Sequence, residues 1–183
     1  MSVKKLSIVS LDFFDNKVIN HLRSSLESEL NIRTSLLKWE SITDTYRSEF
    51  KVGLKYSSTE LINYFSENLS DEIEKMLFIT TDDLYSPVFA RYFGEAQLNG
   101  RVGIVSSFFL NDDLGDKPPS RVIFLSRFEK VMIHEAGHLF GLKHCGDINC
   151  VMKLSGKTSD IDVKSPGFCA SCTEVLINST LID

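Results

Sequence analysis

Three of the four histidines of this 183-residue chain fall within eleven residues, in the run His134-Glu135-Ala136-Gly137-His138-Leu139-Phe140-Gly141-Leu142-Lys143-His144. On a helix, residues four apart stand on one face, so His134 and His138 present two imidazole nitrogens to one ion. Glu135 follows the first histidine directly. It is displaced around the axis from the pair yet within reach of a water held there, which is the place of a general base and not of a fourth ligand. Gly141 can adopt the left-handed conformation that ends a helix, turning the chain so that His144 returns as a third ligand. Three protein ligands leave the fourth tetrahedral position of a zinc ion to water, as a catalytic site requires. Average composition yields the five-residue core by chance in roughly half a percent of chains this long, and the added glycine and histidine lower this to on the order of 10⁻⁵. Ordinary surface or core histidines therefore do not account for the run. The remaining one, His21, reads as a solvated residue of an earlier helix.

The four cysteines all lie after this run, as Cys145 with Cys150 and Cys169 with Cys172. With 43% hydrophobic and 25% charged residues the chain is of ordinary globular composition. A chain of this length buries roughly 70% of its unfolded surface, so it needs no disulfide scaffold. Cys169-x-x-Cys172 is a knuckle that Pro166-Gly167 can turn into, and four cysteines would close every coordination position of a structural zinc. Buried thiol pairs, a redox pair and disulfides are the competing readings, although redox use of Cys169 and Cys172 would leave the other pair idle.

The net charge of −5 has the wrong sign for tracking phosphates, so nucleic acid is not an expected partner. The apolar run Leu6 to Leu11 is too short for a signal core and meets Asp12 at once, and no stretch approaches the roughly 20 apolar residues of a membrane span. The expectation is a cytoplasmic, reducing setting with no membrane partner.

Leu6 to Val9 and Met76 to Ile79 read as buried strands, and Ile32 to Trp39 as a further one. Between the first and third of these lies an amphipathic helix, capped by Asp15, with Val18, Ile19, Leu22 and Leu26 on one face and Asn31 as its stop. A second helix starts at the Ser57/Glu60 capping pattern and carries Leu61, Ile62, Phe65 and Leu69 on a face. This alternation predicts a parallel sheet with right-handed crossovers. Arg101 to Ser106 reads as another strand, forming a hairpin with Gly94 to Leu98 across Asn99-Gly100 and adding one antiparallel strand. Asn111 to Ser120 reads as a loop leading to the histidine helix. There Val122, Leu125, Phe128, Met132 and Leu139 form a packing face, with Met132 about 200° around the axis from His134.

The run His134-Glu135-x-x-His138-x-x-Gly141-x-x-His144-Cys145, then Cys150-x-Met152 and Cys169-x-x-Cys172, resembles the archaemetzincins, a metzincin metallopeptidase family. Ten motif positions agree, with looser similarity in Thr80 to Tyr85 and Gly94 to Ser106. Sixteen residues separate Met152 from Cys169. That is about one fewer than the family spacing, a change a loop absorbs because closure depends weakly on length. The resemblance turns Met152, which alone would read as core, into the Met-turn, an apolar floor beneath a catalytic zinc.

The resemblance implies an α/β fold: a metzincin-like domain over residues 1–183, with a mostly parallel twisted sheet and an antiparallel edge strand. Residues 1–120 would form the strand and helix part, 121–144 the active-site helix with its third ligand, and 145–183 a segment held by the four-cysteine zinc. It implies two zinc ions per chain and a peptide or protein substrate. The expected reaction is peptide-bond hydrolysis with Glu135 as base and His134, His138 and His144 as ligands. Two rivals remain at this level. A zinc-dependent endoribonuclease shares the histidine spacing, but Glu135, the cysteines and the acidic charge argue against it. A zinc-stabilised binding module with a vestigial site is disfavoured by the intact Glu135.

Overall fold

The central strands of the main sheet alternate their side chains between two apolar layers, and those layers fix where the helices lie. In the computed structural model, residues 4–37, 49–52, 55–85, 92–111 and 118–180 are described. The order is β1 (Lys5–Ser10), α1 (Asn16–Leu30), β2 (Arg33–Leu37), β3 (Lys51–Val52), β4 (Lys55–Ser57), α2 (Ser58–Asn68), β5 (Met76–Thr80), β6 (Leu84–Tyr85), β7 (Gly94–Ala96), β8 (Val102–Ser106), a 3₁₀ turn (Phe108–Asn111), α3 (Arg121–Leu139), α4 (Thr158–Asp162) and α5 (Ala170–Thr180).

The main sheet runs β2-β1-β5-β8-β7. Its first four strands pair in parallel, with Ser7 opposite Met76 and Met76 opposite Val102. β7 closes one edge antiparallel to β8, Gly94 facing Val105. On β5, Leu77 and Ile79 point to the layer of α1 and α3, while Met76 and Phe78 point to that of α2. All five residues of β5 are buried, and Met76 to Ile79 form an unbroken apolar run, as expected of a strand covered on both faces.

The helix ends follow the expected chemistry. Asp15 accepts from the Lys17 amide and Asn31 stops α1 at φ 52°; Ser57 accepts from the Glu60 amide at the start of α2. The stripe Val18, Ile19, Leu22 and Leu26 is buried against the sheet, each such side chain contributing about 1.5–3 kcal/mol. His21 is exposed, with Glu129 3.9 Å away.

One expectation is corrected. Val122 is 77% exposed, because the first turn of α3 lies at the surface where Arg121 pairs with Asp15. From Arg127 to Leu139, α3 is buried nearly all round, with Phe128, Met132 and Leu139 in the core and His134 and His138 lining a cleft, so the packing and histidine faces diverge. A second sheet, β3-β4-β6, was not anticipated, since strands of two or three residues carry no readable period. Lys38 and Trp39 of the expected third strand, and 112–117 of the expected loop, lie outside the described residues. Among the described residues no helix is long and apolar enough to cross a membrane.

Candidate metal centre and cleft

The end of α3 builds the site. Gly141 has φ 92°, the Leu142 amide donates to the Gly137 carbonyl (2.9 Å) and the Gly141 amide to that of His138 (3.0 Å). This six-to-one and five-to-two pairing turns the chain back beneath the helix. His144 thereby meets the two helical histidines, its Nε2 3.2 Å from that of His138, which is 3.2 Å from that of His134. Nδ1 of His134 donates to the Val151 carbonyl (2.8 Å) and that of His138 to the Leu142 carbonyl (2.7 Å). A carbonyl only accepts, so the Nδ1 atoms carry the protons and the Nε2 atoms of this pair converge as bare lone pairs. Such a cluster is repulsive unless a cation sits within it. Zn–N bonds of 2.0–2.1 Å at tetrahedral angles place ligand nitrogens about 3.3 Å apart, so the geometry fits zinc.

Burial pushes the His134 imidazole down to about 3, with His138 adding to the effect, and burial lowers His138 and His144 as well. All three rings are therefore in the neutral form that ligates metal.

Met152, fully buried, lies against Gly137, where a Cβ would stand 2.6 Å from its sulfur. Only glycine fits above this methionine. The Cys145 amide donates to the Met152 carbonyl (2.9 Å), which carries the chain straight into the cysteine group. Sγ atoms of Cys145 and Cys169 are 3.7 Å apart and those of Cys150 and Cys172 3.8 Å. These separations are far beyond a disulfide bond, and Zn–S bonds of 2.3 Å would place sulfurs about 3.8 Å apart. Burial raises the Cys150 and Cys172 thiols, while the Cys172 amide lowers Cys169. A dication would deprotonate all four.

The histidines open on a cleft of about 180 Å³ between α3 and the edge strand β7. Glu135 is buried in its wall, packed so tightly on Gly94 that a Cβ there would lie 2.8 Å from its Cγ. Burial first, and Glu95 second, push the Glu135 carboxyl up to about 8, against the opposing effect of Lys164. Glu95 accepts from the hydroxyls of Ser58 (2.6 Å) and Thr59 (3.0 Å), and Tyr92 hydrogen-bonds it too. Burial and the two carboxylates push the Tyr92 phenol upward, so it remains a donor.

The structure brings together the seven candidate metal ligands of the sequence, as two groups, His134/His138/His144 and Cys145/Cys150/Cys169/Cys172, with Glu135 in the same cleft as the first. Tyr92, Gly94, Glu95, Lys130 and Lys164 complete the cleft. None has a spacing that marks it in the sequence; Gly94 and Glu95 lie in a segment of looser family similarity.

The model of peptidase family M54 matches residues 14–178. The archaemetzincin of Methanopyrus kandleri is 39% identical over 126 residues, 69% of this chain and 68% of that protein. Its 1.5 Å crystal structure superposes with a TM-score of 0.76, covering 98% of this chain and 96% of that one at 29% identity. The archaemetzincin of Archaeoglobus fulgidus, crystallised with malonate, gives a TM-score of 0.75 at 27% identity over 93% of this chain and 99% of that one.

Proposed function

The chain belongs to peptidase family M54 and is a zinc metallopeptidase acting on peptides or proteins, and from that premise we propose the residues that perform the hydrolysis. The observation that carries the reading is the convergence of the Nε2 atoms of His134, His138 and His144 in the same cleft as the Glu135 carboxyl.

His134, His138 and His144 hold the catalytic zinc, oriented by the Val151 and Leu142 carbonyls. An ion held by these residues would supply Lewis-acid polarisation of a peptide carbonyl and a water with a pKa of about 7. Glu135 takes a proton from the attacking water and returns it to the amine nitrogen as the C–N bond breaks. Burial favours the protonated Glu135, and with a dication beside it the side chain would take the carboxylate form that a base needs. Gly94 keeps that carboxylate in place. Among the described residues β7 ends the sheet, and its outer edge can pair with an extended peptide and lay it along the cleft.

Cys145, Cys150, Cys169 and Cys172 hold a second, structural zinc, giving two ions per chain, and Met152 floors the first. Four unpaired thiols at ligand spacing support a reducing, cytoplasmic location. Residues 1–183 act as one catalytic domain, since the layer of α1 and α3 takes in both Met152 and Cys172.

Glu135→Gln tests the role of the base. Zinc content by elemental analysis should equal wild type, while kcat falls at least about 100-fold, the lower range for a positioned proton-transfer group. A variant that keeps its zinc and cleaves at the wild-type rate removes Glu135 from the mechanism.

A further inference from the structure

Peptide hydrolysis does not itself require the basic groups on one wall of the cleft. Lys164 is 6% exposed and lines the cleft beside His134 and Glu135. Its Nζ donates to the Val151 carbonyl (3.3 Å) and to that of Lys153, and no described carboxylate forms an ion pair with it. Lys130, 8% exposed in the same wall, likewise donates to the carbonyls of Ile161 (3.2 Å) and Asp162 (3.3 Å). Each ammonium has three N–H donors, so one of each remains unused. Between them in sequence, Ser155 lines the cleft with a buried hydroxyl that has no partner among the described residues.

The acidic side chains of that segment are already engaged, Asp160 accepting from the amides of Gly156 (2.9 Å) and Lys157 (3.2 Å). Asp162 holds Arg127 through two bonds of 2.7 and 2.8 Å, and Arg127 also donates to the Leu110 carbonyl (2.9 Å). This fork fixes α4 on α3 and so fixes the wall that carries both lysines. The carboxylates that act on them, Asp160 and Glu135 on Lys164, Asp162 and Glu129 on Lys130, form no ion pair with them, and buried ammonium groups so placed are costly to maintain. Two of them, with an idle hydroxyl, at the border of a substrate cleft make a preformed place for an anion.

We infer that Lys164, with Lys130 and Ser155, forms a carboxylate-recognition subsite that selects peptides carrying an acidic group close to the scissile bond. This rests on the peptidase reading and adds a substrate class to it. On a peptide the carboxylate is either an Asp or Glu side chain or the chain's own C-terminus, and both present the same two oxygens to the lysine.

The test uses zinc-loaded protein and fluorogenic peptide pairs. One set exchanges Glu for Gln at each position flanking the scissile bond; another compares free with amidated C-termini. The subsite predicts a kcat/KM at least about tenfold higher for the acidic member of one pair, equivalent to ~1.4 kcal/mol. Which set shows the preference identifies its source. In Lys164→Gln the ratio should fall to near one, and in Ser155→Asp it should invert. Reading a ratio within each variant cancels any general loss of activity. Should Lys164→Gln fail to fold, the Ser155→Asp ratio decides.

Equal turnover of both members of every pair by wild type overturns the subsite and leaves the peptidase reading standing. So does a preference that survives in both variants, since attraction to the metal alone would explain it. If no peptide is cut, the peptidase reading fails. Fluorescence anisotropy of the same peptides on zinc-loaded wild type then decides the subsite, tenfold tighter binding of the acidic member supporting it and equal binding overturning it.

Discussion

Gly94→Ala is the change that most directly separates the placement of Glu135 from the metal ligands. The added methyl carbon would stand 2.8 Å from the Ile104 carbonyl oxygen, 2.8 Å from Glu135 Cγ and 3.1 Å from its Cδ. Non-bonded carbons rest at about 3.5–4.0 Å, so one of these groups has to retreat by roughly 0.7 Å or more. Ile104 lies in β8, hydrogen-bonded to strands on both sides, and has little room to give. The side chain of Glu135 is the softer neighbour and takes most of the displacement. Catalytic groups tolerate about 0.5 Å of misplacement, and a 1 Å error can cost about 100-fold in rate. Gly94→Ala should therefore lower kcat by about 10- to 100-fold, while overpacking lowers stability by about 1–3 kcal/mol. No histidine is touched, so zinc content should stay at the wild-type value. The assays are peptide turnover, elemental analysis and urea denaturation on the same preparation. Wild-type kcat together with wild-type stability would refute the claim that Gly94 is glycine because Glu135 needs its space.

Replacing Cys172 by Ser should remove one zinc and lower Tm far more than His144→Ala, which should also remove one zinc. A closed structural site contributes folding free energy on the order of 10 kcal/mol, whereas the histidines ligate from a scaffold already formed. Equal Tm shifts would refute that division. With only the histidine-held ion removed by mild chelation, stability should fall as pH rises from about 6.5 to 8. Glu135 holds a proton in the folded state up to about 8 but releases it near 4.5 when unfolded, so folding is favoured below that window and loses support across it. The histidines act in the opposite sense below their ordinary 6.5, because the unfolded chain binds protons that buried His134 refuses down to about 3. Urea midpoints between pH 6.5 and 8 that decline as steeply in Glu135→Gln as in wild type would exclude Glu135 as the origin.

What could be read from the sequence was local. Asp15, Asn31 and Ser57 act on backbone groups a few residues away, so the ends of α1 and the start of α2 were legible. The alternation of Leu77 and Ile79 with Met76 and Phe78 was hidden because both faces of β5 are apolar, yet the run itself marked a buried strand. Gly94 and Glu135 meet only because β7 joins β8 at the edge of the sheet and α3 crosses beside it, and no period links them. Lys164 looks like any surface lysine in the sequence. Its burial follows from the Arg127–Asp162 pair, which draws α4 against α3.

The legible part of the site is also its most tightly connected part, and one short loop explains both facts. His144 and Cys145 are neighbours in the chain, so a ligand of each candidate metal group is fixed by the same peptide, about 3.8 Å from one Cα to the next. The loop closes where the Cys145 amide meets the Met152 carbonyl (2.9 Å), and the Val151 carbonyl orients His134 (2.8 Å) one residue after Cys150. The loop is anchored in turn by the Ser165 amide on the Asn149 carbonyl (2.9 Å) and the Val151 amide on that of Gly167 (3.1 Å), which leads into Cys169. Movement of a cysteine is therefore transmitted within one residue to His144, and within one residue to the carbonyl that sets the His134 tautomer. Coordination chemistry at both groups thus constrains a contiguous run of sequence, and that run carries the family motif. The substrate-facing walls, β7 on one side and the Lys164 segment on the other, come from parts of the chain joined only by folding, and there the specificity of the cleft was invisible until the fold placed them.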